Sequence, residues 1–423
     1  MQTKLFRRDF TLVVIGQIIS LFGNAILRFA LPLYLLRETN SSTLFGVVTA
    51  CSFAPMVILS MVGGVLADRV NKRDIMVGLD FSTAAIILLF YVSLEKLPTV
   101  PLFIVALMLL YGISGTYQPA VQASVPLLVA NERLMAGNAV INQVNTLSSL
   151  LGPVIGGMMF TLWGMDPILL LSAACFTFSA IMELFIHIPH EKRPREAGVF
   201  RVVGMDLKES YQFVKSEKPI FFSVVLLVSI FNLVLSAVMI VGIPILITQV
   251  LEMSDTMYGF TQGALALGGL CGGILTAIVS EKLKIQNSYV LLLACSIAVA
   301  VMGISLFLNM SAIVSYWIIT LMSFTVMGAS TLFTVQIYTL VQTQTPPPLV
   351  GKIMAALISI AMCGQPVGQA IYGLLFDIFA VHVWMVLLGS AAAALLISLY
   401  SKRIFSRLSR SKAFPAMGGE GSV

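Results

Sequence analysis

Polar side chains stand at helical spacing inside long apolar stretches of this sequence. In the first stretch Gln17, Asn24 and Arg28 lie at i, i+7 and i+11, which places them on one face of a helix. Polar groups are costly in a lipid environment, so such residues face a cavity or a partner helix. They could line the path of a polar solute, or form hydrogen bonds between helices worth roughly 1 kcal/mol each.

Later stretches carry the same pattern. We predict that the polar side chains of the first and fourth stretches together line a cavity, with further contributions from the fifth, seventh and tenth. These additional candidates for a substrate path are Tyr117, Gln118, Gln122, Asn142, Asn145, Asn232, Gln336 and Tyr338. Arg28 lies about 17 residues into its stretch, and at about 1.5 Å per residue this is beyond the midplane of a membrane. Two interpretations stay open for its side chain: it extends to the membrane surface, or it faces the cavity and meets substrate.

Two acidic residues lie inside apolar stretches. For Asp80 we favour an ion pair with Arg69, Arg73 or Arg133 near the end of its helix. Glu183 is either an acid that reaches the membrane surface, which we favour, or a carrier of protons across the membrane. Asp80 and Glu183 are therefore the candidates for proton coupling.

The composition identifies the elements that hold these residues. Of the 423 residues, 58% are hydrophobic and 10% are charged, against about a quarter charged in soluble proteins. The apolar runs reach the roughly 20 residues that a helix needs to cross a bilayer, and they are continuous rather than alternating, which excludes a barrel. We predict an all-α membrane protein with twelve spans, near 11–36, 44–67, 75–94, 101–128, 137–163, 167–188, 220–250, 257–280, 287–308, 313–341, 352–380 and 382–401.

The basic residues predict the orientation of these spans. The termini and the loops on their side of the membrane contain 22 of the 25 Lys and Arg residues. Basic residues concentrate on the cytoplasmic side of membrane proteins. We therefore expect a multi-pass protein of the cell membrane with both termini in the cytoplasm. The net charge of +6 lies in loops and does not indicate a nucleic-acid partner, whereas contact with membrane lipid is expected.

An internal repeat divides the chain into two six-helix bundles. Thr43-Leu44-Phe45-Gly46 is echoed by Thr256-Met257-Tyr258-Gly259 at an offset of 213 residues, and Pro153 by Pro366 at the same offset. We predict bundles over 1–188 and 220–401, a cytoplasmic linker with a short amphipathic helix over 189–219, and a basic tail over 402–423. Within the bundles, Gly152, Pro153, Gly156 and Pro366 are predicted to serve helix packing and bending.

A charged loop motif joins the second and third spans. Gly64, Asp68, Arg69, Lys72 and Arg73 have the spacing G-x-x-x-D-R-x-x-K-R. This spacing resembles the loop between helices 2 and 3 of the major facilitator superfamily of membrane transporters. The resemblance implies two pseudo-symmetric six-helix bundles, a central path lined by spans 1, 4, 7 and 10, and a gating role for the motif. A plain cytoplasmic turn would explain the basic residues but not Gly64 and Asp68.

Three further stretches resemble the branch of that family with macrolide-efflux proteins and the enterobactin exporter. They are 125–139, 206–219 and 350–366, and the run Leu-Gly-Pro-Val-Ile-Gly-Gly at 151–157 is similar to an exporter signature. The sequence departs from the branch at Asn24, where many relatives carry an acid, and this argues against proton coupling or cation recognition through the first span. The resemblance implies proton-coupled efflux by alternating access.

No enzyme motif stands out beside these features. The sequence contains no G-x-x-x-x-G-K-[ST] nucleotide loop, no G-x-S-x-G nucleophile and no convincing set of metal ligands, so we expect no enzyme, metal or cofactor. We expect a monomeric antiporter that exports an amphipathic small molecule, such as a drug, a macrolide-like compound or a siderophore-like metabolite, in exchange for protons. The alternatives are an uptake permease or lysophospholipid flippase of the same fold, and a membrane sensor or scaffold that transports nothing.

Overall fold

The protein is almost entirely helical where its structure is described. The computed structural model describes residues 7–130, 133–189, 212, 214–216, 220–279, 285–346 and 349–410. The helices are α1 (Arg8–Thr39), α2 (Ser42–Arg69), α3 (Lys72–Ser93), α4 (Thr99–Leu128), α5 (Leu134–Trp163), α6 (Met165–Leu184), α7 (Ile220–Phe231), α8 (Asp255–Val279), α9 (Ser288–Phe307), α10 (Ala312–Thr343), α11 (Val350–Met362), α12 (Gly364–Ile378) and α13 (Val383–Arg410). Beyond α7 the chain stays helical to Val250 through π-helical turns at Asn232–Ser236, Val238–Gly242 and Leu246–Val250.

The predicted spans all fall on helical segments. Ten helices among the described residues are long and apolar enough to cross a membrane, which confirms an all-α integral membrane protein. The count of twelve spans stays a prediction. The helix of the last span, predicted at 382–401, continues to Arg410. Ile404 and Phe405 are buried, so packing holds this helix together beyond the apolar run.

The chain divides into two compact units. The first contains the described residues up to 189 together with 253–263, and the second contains the other described residues from 212 onwards. The sequence predicted that residues 220–401 form the second bundle. In the structure the start of α8 belongs to the first unit instead. Residues 190–211 of the linker lie outside the described part of the chain. Val214, from its predicted amphipathic helix, is buried against Phe221, Val341 and Ile353.

Glycines set the helix spacing within the first unit. There α1 packs on α5 and α6, α2 on α4, and α3 on α6. A Cβ at Gly115 would overlap the backbone of Met56, and one at Gly63 would lie 2.7 Å from the Cα of Thr116. Gly152 of α5 likewise contacts Ala25 of α1. Side chains at these glycines would force the helices apart.

In the second unit, glycines also lie at the close contacts between the corresponding helices. Gly268 and Gly272 of α8 lie against the backbone of α10 at Phe324 and Gly328, as α2 lies against α4. Gly368 of α12 lies against Leu233, as α5 lies against α1. Glycines therefore allow close contact between equivalent helix pairs in the two units.

The predicted bend near Pro366 coincides with a break in the helix. The segment predicted as one span at 352–380 is two helices, α11 and α12, separated at Cys363. Proline has no N–H to donate to the carbonyl four residues earlier, which here belongs to Met362. Pro153 by contrast lies inside the continuous helix α5.

Candidate functional site

A pocket in the first unit collects polar residues from α1 and α4. It is lined by Asn24, Arg28, Tyr117 and Gln118 among the predicted path residues. Ser20, Asp80, Tyr111 and Ser114 also contribute to its wall, and Leu27, Leu31, Leu107 and Leu110 supply apolar surface. This mixture of apolar and polar groups is typical of small-molecule sites.

Arg28 faces this pocket. Its guanidinium carbon lies 4.0 Å from the centroid of the Tyr111 ring, and its Nη2 lies 3.4 Å from the Sδ of Met56. A cation over an aromatic face is attracted by the ring quadrupole. Of the two interpretations of Arg28, the structure therefore favours the one in which the side chain faces a cavity.

Asn24 lies one helical turn before Arg28 on the same face of α1. Its Nδ2 donates a hydrogen bond of 2.6 Å to the Oγ of Ser114 on α4. The bond joins the two helices at the pocket wall and orients the amide there. Interhelical bonding and pocket lining, which the sequence presented as alternatives, are combined in this one side chain.

A buried chain of hydrogen bonds lies beside the pocket. The Nε2 of Gln17 donates to the hydroxyl of Tyr117 at 3.0 Å, and that hydroxyl donates to Oε1 of Glu183 at 2.7 Å. Ser20 donates to Oδ1 of Asp80 at 3.2 Å, and Ser179 lies beside the same carboxyl group. Helices α1, α3, α4 and α6 thus bring two carboxyl groups to one region, where Asp80 and Glu183 interact electrostatically.

Both acids have surroundings that differ from the favoured predictions. The ion pair of Asp80 with Arg73 or Arg133 is wrong: within the described part of the chain Asp80 has hydroxyl partners, and Arg73 instead lies 4.0 Å from Asp74. The side chain of Arg69 lies outside the described part. Glu183 does not reach the membrane surface, because it is fully buried and bonded to Tyr117.

The carboxyl groups also have unfilled hydrogen-bonding capacity. Among the described residues, no partner is found for Oδ2 of Asp80 or Oε2 of Glu183, although both atoms are buried. A buried oxygen without a donor is costly unless it carries a proton or binds a further group. A proton on each of these oxygens, or a further group bound to it, would satisfy them.

A second pocket lies within the second unit. It includes Asn232 and Tyr338, with Thr334 and a mainly apolar wall from α7, α10 and α11. The Nδ2 of Asn232 donates to the carbonyl of Ala361 at 3.1 Å, and Ser236 donates to its Oδ1 at 2.9 Å. In this pocket the polar side chains are fewer, and Asn232 is already hydrogen-bonded to groups of the protein.

Several predicted path residues lie outside both pockets. Gln122 and Asn142 are exposed, Asn145 bonds within α5 to the carbonyl of Ile141, and Gln336 accepts a bond of 2.5 Å from Ser288. Gln17 is buried behind the first pocket. The sequence analysis missed Ser20, which stands three residues after Gln17 and four before Asn24 and so shares their helical face.

The loop motif lies at the junction of α2 and α3. Gly64, Asp68 and Arg69 belong to the last turns of α2, and their side chains lie outside the described part. Lys72 begins α3, where the Oδ1 of Asn71 accepts a bond from the N–H of Arg73 at 3.1 Å and caps the helix. The gating role of the motif stays a prediction.

Comparison with known proteins shows the family. The model of the Major Facilitator Superfamily matches residues 13–368. The chain belongs to the major facilitator superfamily. Among its curated superfamily relatives, macrolide efflux protein A of Streptococcus pyogenes is 25% identical over 383 residues, with 89% of this chain and 91% of the relative covered. The enterobactin exporter EntS of Escherichia coli O1:K1 is 27% identical over 369 residues, with 86% and 84% covered.

Solved structures show the same superfamily fold. The nucleoside transporter NupG matches with a TM-score of 0.74 at 11% identity, over 94% of this chain and 99% of that one. A bacterial homologue of the iron transporter ferroportin matches with a TM-score of 0.68 at 16% identity, over 95% and 99%. The protein is therefore a membrane transporter of the superfamily, with efflux transporters among its relatives.

Proposed function

We propose that the protein is a secondary active exporter that moves an amphipathic small molecule out of the cell in exchange for protons. The two relatives are a macrolide efflux protein and an enterobactin exporter, so drugs, macrolide-like compounds and siderophore-like metabolites are the substrate classes to test. The observation that carries the proposal is the pocket of α1 and α4 with two buried carboxyl groups at its side.

In this proposal the first pocket binds the solute. Asn24, Arg28 and Gln118 present polar groups to it, and leucines of α1 and α4 contact its apolar part. Asn232 and Tyr338 of the second unit contribute the other polar contacts along the path. The solute then reaches each side of the membrane in turn, as alternating access requires.

Asp80 and Glu183 are the proposed carriers of protons. Asp80 belongs to the pocket wall, whereas Glu183 is reached from it through Tyr117. Protonation of one carboxyl group changes its bonding to the adjacent hydroxyl groups. Those groups lie on α1, α4 and α6, so the proton can bias how the helices pack.

The loop motif and the orientation complete the proposal. Both termini and residues 189–219 are assigned to the cytoplasm, since 22 of the 25 Lys and Arg residues lie on that side of the assigned spans. The loop motif with Asp68 then lies at the cytoplasmic end of α2, where it is proposed to regulate the opening of the path. The protein is proposed to act as a monomer in the cell membrane.

The proposal is tested by a susceptibility panel and a direct transport assay. Strains that lack or overproduce the protein are compared on drugs and metabolites, and each hit is then measured in inverted membrane vesicles. Asn24→Ala should reduce accumulation of the hit, whereas Asn287→Ala, the same change at an exposed side chain outside both pockets, should not. Movement only in the uptake direction would contradict export, and no movement for any hit would contradict transport.

A further inference from the structure

Arg28 is a cation without a charged partner. Within the described part of the chain it forms no ion pair, and its contacts are the Tyr111 ring and the Sδ of Met56. A guanidinium group has five N–H donors, and a thioether sulfur is a weak acceptor. Most of the donors of Arg28 are therefore left for a group that enters the pocket.

Asp80, the acid that lines the same pocket, does not supply the missing partner. It bonds to Ser20, which precedes Arg28 by eight residues of α1. At about 1.5 Å per residue, this is a separation of roughly 12 Å along the helix. The cation and the acid therefore occupy different ends of the pocket.

Another arginine of the same helix shows the contrast. Arg37 lies nine residues after Arg28, and its Nη2 is 2.7 Å from Oδ1 of Asp255, within the first unit. Arg37 is about half exposed, and it nevertheless has an acidic partner. Arg28 is more costly to leave unpaired, because it lies inside a span among apolar groups.

The groups around Arg28 define the chemistry that would complement it. Asn24 and Ser114 offer polar contacts one turn away, and the Tyr111 ring covers one face of the guanidinium group. The edges of the group remain for a planar oxyanion, which arginine binds through two parallel hydrogen bonds. Leu27, Leu31, Leu107 and Leu110 provide an apolar wall.

We infer that this pocket selects an amphipathic solute with an anionic headgroup of the carboxylate type, which Arg28 binds. The inference rests on the proposed transport function and narrows its substrate class. The apolar body of the solute lies against the leucines, and its headgroup supplies the acidic partner that the protein does not provide.

The test measures equilibrium binding to the purified full-length protein in detergent. Three radiolabelled probes share one naphthyl body and one short linker, and end in a carboxylate, a carboxamide or an ammonium group. We expect the carboxylate probe to bind at least tenfold more tightly than the other two, the range of one charge-assisted hydrogen bond. Arg28→Gln should remove this preference, and Arg28→Lys should keep part of it because it keeps the charge.

Arg8→Gln is the matched control. It removes the same charge from an exposed position of α1, outside the pocket, and should leave all three affinities unchanged. Thermal unfolding of each variant shows that it is folded. Equal binding of the three probes, including equal failure to bind, would overturn the inference, as would a carboxylate preference that survives in Arg28→Gln.

The binding test of the inference and the transport test of the proposed function can fail independently of each other. A carboxylate preference that depends on Arg28, without movement of any solute in vesicles, would support the pocket chemistry and contradict the proposed function. Transport of cationic or neutral solutes with no role for Arg28 would support the proposed function and overturn the inference.

Discussion

Replacing Glu183 by Gln should uncouple transport from protons while leaving the fold intact. Tyr117 donates its hydroxyl to Oε1 of Glu183 at 2.7 Å, and the amide oxygen of Gln can accept the same bond. Glu183→Leu would instead leave that buried donor without an acceptor, at a cost of about 1–3 kcal/mol. Thermal unfolding should therefore show Glu183→Gln close to wild type and Glu183→Leu clearly less stable.

The size of the transport effect follows from the number of carboxyl groups. With a gradient of one pH unit and no membrane potential, each proton exchanged contributes about 1.4 kcal/mol, or tenfold accumulation of solute. If Asp80 and Glu183 carry one proton between them, wild type accumulates solute about tenfold and Glu183→Gln about onefold. If each carries one, the values are about a hundredfold and tenfold. In both cases Glu183→Gln accumulates about tenfold less solute than wild type.

The assay uses inverted vesicles with an acidic interior and the potential clamped by valinomycin and potassium. The solute is a hit from the susceptibility panel, and Glu95→Gln, the same change at an exposed loop residue, is the control that should accumulate like wild type. Accumulation by Glu183→Gln equal to wild type, at equal protein content, would refute a coupling role for this residue.

Three further predictions concern packing, gating and topology. Gly115→Ala should lower the free energy of unfolding by about 1–3 kcal/mol, because the new Cβ overlaps the backbone of Met56. Gly78→Ala should leave it unchanged, because no atom lies within 4 Å of the new Cβ. Melting curves of the purified variants in detergent check both. Asp68→Asn should reduce vesicle transport to near background with normal membrane insertion, since an acid in this loop can stabilise the N-terminus of a neighbouring helix; wild-type rates would contradict it. In a cysteine-free protein, an impermeant thiol reagent applied to intact cells should label a cysteine at position 41 and not one at position 216; the reverse labelling would contradict cytoplasmic termini.

The sequence was sufficient to predict the helices, because length and apolarity determine a membrane helix almost alone. It also predicted bending at Pro153 and Pro366; α11 ends at Met362, close to Pro366, whereas α5 is continuous through Pro153. The π-helical turns between Asn232 and Val250 were not predicted. A π-helical turn contains about one residue more than an α-helical turn and shifts the register of the residues that follow. The residue types between Asn232 and Val250 do not indicate this shift.

The candidate site was predicted in part. Helical spacing placed Asn24 and Arg28 on one face, and both line the pocket. Spacing within one helix cannot show that Gln17 meets Tyr117, a hundred residues later, or that Glu183 lies behind it. The ion pair of Asp80 was expected from nearby basic residues, but the packing of α1 against α3 offered the hydroxyl group of Ser20 instead. These partners depend on which helices are neighbours.

The exchange of solute for protons is tested most directly by proton movement in liposomes that contain the purified protein. The liposomes have an acidic interior and a pH-sensitive dye inside, and a hit from the susceptibility panel is added outside. The account predicts that the interior becomes alkaline as the solute enters, in wild type and in Asn287→Ala, and far less in Asn24→Ala or in liposomes without protein. Entry of the solute with no change in internal pH would contradict proton exchange.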